Sequence, residues 1–203
     1  FPPRPVRPKP MQDPHPPLWV AAMSPETATI AGENGLGFLG TSLGAPDKYA
    51  DLIATYRDAV AQCENPAGSF VNNQANGVCF MYCGETDEAA IREGLPSAQT
   101  FFGAASSVLG VGAVYPSPGY RPTANAAGTG PINRPGQPMG SPDTCIEGIK
   151  RWEEAGLDRL CFLLQFDQGT PQDKILASLE RFATEVMPEF EEDRSPLTAG
   201  KRG

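Results

Sequence analysis

Short apolar runs alternate along this chain with longer segments in which apolar residues return every three or four positions. LWVAAM (18–23) is the first run, and an apolar run of that length predicts a buried parallel strand. Ser24-Pro25-Glu26-Thr27 follows, with a favoured N-cap residue and a proline at the first helical position. A helix is therefore predicted to about Asn34, stopped by Gly35. GLGFLGT (35–41) predicts a second strand. Pro46-Asp47 opens a longer helix in which Tyr49, Leu52, Ile53, Tyr56 and Val60 share a face. GVCFMYCG (77–84) predicts a third strand, and Thr86-Asp87-Glu88-Ala89 starts a helix reaching about Glu93. Ser141-Pro142 begins another, with Ile146, Ile149 and Trp152 on its apolar face and Gly156 at its end. RLCFLLQF (159–166) predicts a fourth strand. Thr170-Pro171-Gln172-Asp173 caps a last helix, whose stripe is Ile175, Leu179, Phe182, Val186 and Phe190.

The alternation argues for parallel strands joined by right-handed crossovers. Four strand–helix pairs make half of an eight-fold barrel or a small open sheet. Two stretches interrupt the pattern. Residues 1–17 carry eight prolines and read as a lead-in. Residues 94–142 carry eight more, with nine glycines, and read as a mobile loop insertion before the penultimate helix. Within it, 101–115 is apolar enough for partial order, and 116–140 has no period. The expected domain runs over 18–193, with a disordered tail at 194–203. Without the two stretches, about 127 residues remain, against the 200 or more of a complete eight-fold barrel.

Charge narrows the function classes. The formal net charge is −8, with no basic stripe, which argues against nucleic-acid binding and against docking on anionic membranes. No window approaches 18 consecutive apolar residues, and the proline-rich start lacks the apolar core of a signal peptide. A cytoplasmic location is expected. Cys63, Cys79, Cys83, Cys145 and Cys161 match no zinc spacing and read as free thiols in a reducing compartment. His15 is the only histidine and lies among prolines, so a histidine-based triad within this chain is not expected. No metal site is expected, and the catalytic residues are unknown from the pattern alone.

Chemistry is expected at the C-terminal ends of the strands, where parallel α/β architectures bind ligands. Ser24 and Thr27 sit where the first strand passes into a helix N-terminus, whose backbone N–H groups and dipole favour an anion such as phosphate. The simpler alternative is that Ser24 only caps the helix. Thr41 and Ser42 end the second strand, with Gly40 leaving room beside them. Gln165 and Phe166 end the fourth. Glu85 ends the third, where a single exposed glutamate is ordinarily just solvated. GENGLGFLG does not place its glycines as a dinucleotide fingerprint requires. Trp19 and Trp152 are expected in the core or the barrel wall.

Three segments carry a family resemblance. PHPPLWVAAMSPETATIAGENGLGFL resembles the middle of the bacterial luciferase-like, flavin-dependent monooxygenases. Ser141-Pro142 with IKRWEEAGLDRLCF resembles their Gly-[Ser/Thr]-Pro helix and final strand, and ILASLERFATEVMPEF their closing helix. The resemblance implies a partial (β/α)8 TIM barrel matching strands five to eight, with the sequence read as the C-terminal piece of a longer enzyme. It implies reduced flavin mononucleotide (FMN) as cofactor, oxygen and a small organic substrate as reactants, and a flavin reductase as partner. Relatives that use a deazaflavin for hydride transfer are the alternative. Met23 (through its backbone), Ser24 and Thr27 match the phosphate contacts of the family, and Gly40, Thr41 and Ser42 the strand end beside the flavin ring. The active-site histidine of the family has no counterpart in His15, and the chain alone is expected to be inactive. A non-catalytic flavin-storage protein that forms a homodimer through open half-barrel edges, or a small open α/β binding module, are the other readings.

Overall fold

The computed structural model describes residues 7–41, 46–110, 136–165 and 169–193. Its elements are β1 (Trp19–Ala21), α1 (Pro25–Glu33), β2 (Gly37–Thr41), α2 (Pro46–Ala61), β3 (Ala75–Phe80), β4 (Tyr82–Cys83), α3 (Asp87–Gly110), β5 (Met139–Gly140), α4 (Pro142–Glu154), β6 (Arg159–Leu163) and α5 (Gln172–Arg181). A π-turn (Phe182–Val186) and a 3-10 helix (Met187–Asp193) follow. One sheet has the strand order β1-β2-β3-β6, and β4 pairs with β5 in a second, parallel pair. This is α/β architecture with a parallel sheet, as the half-barrel reading requires. The chain divides into two compact units.

The first unit holds the chain to Thr41, Asp47–Gly77 and Ala155–Leu160. β1 runs parallel to β2, with Trp19 opposite Gly37 and Ala21 opposite Leu39. α1 ends as its sequence directs. Gly35 takes φ +64, and Gly35 and Leu36 donate back to the carbonyls of Gly32 and Ala31, both at 2.9 Å. Gly32 lets α1 lie against α2: a Cβ there would stand 2.6 Å from both the Ala59 Cβ and the Val60 nitrogen. Phe38 and Tyr56 form the buried centre, with ring centroids 5.5 Å apart. His15 fastens the proline-rich lead-in, accepting from the Ser69 N–H at Nε2 (2.8 Å) and stacking on Phe70.

The second unit holds Pro46, Val78–Glu154 and the chain from Cys161 onward. Its core has two clusters. One gathers Phe80, Tyr82, Ala90, Ala98, Met139 and Ile175. The other gathers Met81, Cys83, Cys145, Phe182 and Val186. Trp152 is fully buried, in line with the core role expected of it.

Four expectations are corrected. The helix from Asp87 does not stop near Glu93 but runs to Gly110, through Pro96, so residues 94–110 are helix and not loop. Ala90, Leu95 and Ala98 keep one buried face across the proline, and that packing outweighs a penalty of about 3 kcal/mol for a mid-helix proline. Met139–Gly140, expected in the loop, is a strand because β4 needs a partner. The third strand is interrupted at Met81: the Met81 N–H donates to the Leu163 carbonyl, whereas that of Tyr82 donates to Pro138. Thr170 does not cap the last helix. Pro171 occupies the N-cap, and the Thr170 hydroxyl lies 3.5 Å from the Glu93 carbonyl. That last helix turns into π and 3-10 forms near Pro188, which has no N–H to continue the α ladder. The remainder of the expected loop, 111–135, and the expected tail at 194–203 lie outside the described residues.

Candidate functional site

The N-terminus of α1 lies at the C-terminal end of β1. Ser24 takes extended backbone angles (φ −137, ψ 155), and its Oγ accepts from the Thr27 N–H at 3.3 Å. The two hydroxyls lie 3.1 Å apart and half-buried. One hydroxyl hydrogen fills that contact, which leaves the other O–H free to donate outward. The β1–β2 register carries the site onto the next strand. The Ala22 N–H donates to the Leu39 carbonyl at 2.9 Å, and the register, continued past Ala21, brings Ala22 and Met23 level with Gly40 and Thr41. Met23, between β1 and the N-cap of α1, is 58% exposed.

Gly40 differs from its expected part. A Cβ there would meet the Phe38 ring at 2.7 Å and the Tyr49 ring at 3.0 Å, so the room beside it is filled by aromatic packing. Burial pushes the Tyr49 phenol up to about 12, which keeps it neutral. The Thr41 side chain, Ser42 and Phe166 lie outside the described residues. Gln165 is exposed and donates to the Thr170 carbonyl at 3.3 Å. Glu85 is solvated, with its side chain 82% exposed and Arg181 paired to it at 3.3 Å; Arg181 also donates to the Cys83 carbonyl at 3.1 Å.

The second unit repeats the same four-residue motif with its anion position filled. Ser141-Pro142-Asp143-Thr144 opens α4 as Ser24-Pro25-Glu26-Thr27 opens α1, with hydroxyls 3.3 Å apart. Here one oxygen of Asp87 accepts from the Ser141 N–H at 2.7 Å and from the Thr144 hydroxyl at 2.8 Å. The Ser141 N–H, then the Thr144 hydroxyl, holds the Asp87 carboxyl below its ordinary value. Among the described residues no carboxylate is bonded to Ser24 or Thr27. A helix N-terminus of this build accepts a carboxylate in one place and stands open in the other. The sign of the Asp87 effect follows from its depressed folded-state value. Its stabilisation is complete above about pH 4 and is lost as pH falls through that value. Asp87→Asn is expected to lower the denaturation midpoint at pH 7 and to flatten its dependence below pH 4, as followed by circular dichroism in urea.

A second polar cluster was not expected. Glu93 accepts from the Tyr82 hydroxyl (2.9 Å), from Lys174 (3.1 Å) and from Arg92 (3.4 Å). It borders cavities of about 170 and 280 Å³. Chain distances of 11 and 81 residues hid this cluster from sequence. No disulfide joins the five cysteines: Cys79, Cys83 and Cys145 are buried, Cys63 is half-buried and Cys161 is exposed. The Cys145 thiol donates to the Gly140 carbonyl at 3.7 Å; its interaction with the neighbouring Cys83 thiol draws Cys83 down and, together with burial, pushes Cys145 up. Among the described residues no cluster of His, Cys, Asp and Glu could hold a metal ion, and no helix is long and apolar enough to cross a membrane.

Comparison with known proteins decides the family. The model of the luciferase-like monooxygenases matches residues 2–159. The chain belongs to this family. Among luciferase-like relatives, the oxygenase component of the flavin-dependent trigonelline monooxygenase of Acinetobacter baylyi (strain ATCC 33305 / BD413 / ADP1) is 25% identical over 201 residues, 96% of this chain and 54% of that protein. The monooxygenase RslO1 from Streptomyces bottropensis superposes with a TM-score of 0.65 at 18% identity, covering 91% of this chain and 51% of its own. The oxygenating constituent of the 3,6-diketocamphane monooxygenase of Pseudomonas putida, solved with FMN, gives 0.58 at 20% identity over 86% and 49%. The coenzyme F420-dependent tetrahydromethanopterin reductase of Methanopyrus kandleri gives 0.51 at 16% identity over 86% and 51%. The structural neighbours are luciferase-like TIM barrels, and the fold here is part of one. The chain spans about half the length of these relatives.

Proposed function

We propose that this chain forms the C-terminal half of the barrel of a flavin-dependent monooxygenase, and that the N-terminus of α1 holds the flavin phosphate. The observation that carries this reading is the open Ser24–Thr27 pair at the end of β1, set against the Ser141–Thr144 pair that Asp87 already occupies. The residues fit a phosphate: a free hydroxyl hydrogen and a helix dipole converge there, next to the exposed Met23. Thr41 ends the neighbouring strand and Ser42 follows it in sequence; the family resemblance assigns both to the flavin ring, with Gly40 contributing backbone only. Reduced FMN, when bound, supplies the two electrons with which oxygen is activated for transfer to a small organic substrate. The A. baylyi relative is an oxygenase component, which supports a separate flavin reductase as the source of reduced flavin. The catalytic groups and most of the substrate cavity belong to the half of the barrel beyond the length spanned here, so the isolated chain binds flavin weakly and turns nothing over.

The fold likeness to an F420-dependent reductase supports a second reading, hydride transfer with a deazaflavin at the same phosphate site. Fluorescence titration with FMN and with F420 tests both, using the chain completed by an upstream half-barrel. Ser24→Ala is expected to weaken FMN about tenfold, the loss of one hydrogen bond to a charged group at about 1.5 kcal/mol. Equal affinity of the two proteins removes Ser24 from the site. Binding of F420 without FMN selects the hydride-transfer reading. Tight FMN binding by a stable homodimer of the chain alone selects flavin storage.

A further inference from the structure

Two of the five thiols meet in the core of the second unit, and the proposed function uses neither. Cys83 ends β4, Cys145 lies in the first turn of α4, and both are fully buried. The β4–β5 register brings them together. Cys83 stands opposite Gly140, and the Cys145 thiol donates to the carbonyl of that same glycine at 3.7 Å. The two thiols interact, and Met81, Phe182 and Val186 close the cluster around them. They are not alike. The Cys145 thiol, and then the Arg181 guanidinium that donates to the Cys83 carbonyl at 3.1 Å, favour the ionised form of Cys83. The same contact and burial keep Cys145 protonated. The thiolate is the nucleophile toward peroxide, and a second thiol in contact with it can resolve the product.

We propose that Cys83 and Cys145 form an oxidisable pair, which hydrogen peroxide converts to a disulfide tying β4 to the first turn of α4. The Cys83 thiolate attacks one peroxide oxygen. The O–O bond breaks, hydroxide leaves and takes up the proton that Cys83 gave, and Cys83 becomes a sulfenic acid. The Cys145 sulfur then attacks the Cys83 sulfur, and the S–O bond breaks. The hydroxyl leaves with the Cys145 proton as water. Two thiols are thus oxidised by two electrons, and one peroxide is reduced to two waters. Oxygen that takes two electrons from reduced flavin without reaching a substrate is released as this same peroxide. That source of oxidant rests on the proposed function, whereas the thiol pair does not.

The test treats the folded 203-residue chain with hydrogen peroxide in buffer, then alkylates the remaining thiols in denaturant. Peptide mapping without reductant is expected to join the Cys83 and Cys145 peptides, with the loss of two thiols and of the mass of two hydrogen atoms. The urea midpoint of the second unit is expected to rise on oxidation and to return with dithiothreitol. Cys145→Ser is expected to leave Cys83 as a sulfenic acid that dimedone labels, and Cys83→Ser to leave Cys145 a free thiol. The map of the unsubstituted chain decides the matter even if either variant fails to fold. Alkylation of both Cys83 and Cys145 as free thiols, under peroxide that has oxidised the exposed Cys161, overturns the proposal. So does a crosslink that joins either of them to Cys63, Cys79 or Cys161 instead. Labelling of Cys145 but not Cys83 in the paired variants overturns the assigned order of attack.

Discussion

Trp152→Ala is expected to destabilise the second unit by about 3–5 kcal/mol, the range for deleting a buried large aromatic side chain. Trp152 is fully buried on α4, the largest side chain so enclosed. Its Nε1 donates to the Gly136 carbonyl at 2.5 Å, tying α4 to the segment that enters β5. Deleting the indole therefore opens a cavity and strands a buried carbonyl. Trp152→Phe separates the two effects. It retains most of the apolar volume and loses only the hydrogen bond, so about 1–3 kcal/mol is expected. Urea denaturation followed by near-ultraviolet circular dichroism measures both. Equal losses for the two variants would mean that packing contributes little beyond the bond.

Arg57→Ala is expected to cost the first unit about 2–4 kcal/mol. One guanidinium there serves four acceptors. Nη1 donates to the Asn73 carbonyl at 3.1 Å and to its Oδ1 at 2.6 Å, and Nη2 donates to the Gly156 carbonyl at 3.2 Å and to Asp158 at 2.7 Å. The same Asp158 oxygen accepts from the Ala75 N–H at 2.6 Å, so the pair clamps the starts of β3 and β6. The cation also stands 5.6 Å from the Tyr56 ring centroid. Arg57 and Asp158 are 30% and 36% exposed, and solvent screening holds the figure below that of a buried pair. Arg57→Lys is expected to recover less than half of the loss, because an ammonium cannot span four acceptors in one plane. Full recovery by lysine would show that charge alone matters at this position.

Local signals placed most elements and failed where a distant partner decided. Ser24-Pro25, Ser141-Pro142, Gly35 and Gly156 set helix ends through capping and positive φ, which depend on near neighbours only. The Gly/Pro-rich composition that begins at Gly94 misled for the same reason. It ended the helix near Glu93 by a local rule, and the packing of Leu95 and Ala98 carries the helix on through Pro96. Gly40 was read as space for a cofactor, but the rings of Phe38 and Tyr49 fill that space. The duplicated Ser-Pro-acid-Thr motif was legible. That Asp87 fills one copy was not, because it lies 54 residues before Ser141.

The sequence by itself determined the alternation of strands and helices, their parallel order, the family and the position of the Ser24–Thr27 pair. The family follows from the resemblance of three segments, and the rest from periodicity or from contacts within one helical turn. Only the tertiary structure decided which of two like helix N-termini stays open among the described residues, that Arg57 and Glu93 are hubs, and that the last helix buries Ser178 while it exposes Leu179. Those properties depend on groups far apart in the chain. Hydrogen bonding and burial act between neighbours in space, and no sequence period encodes that proximity.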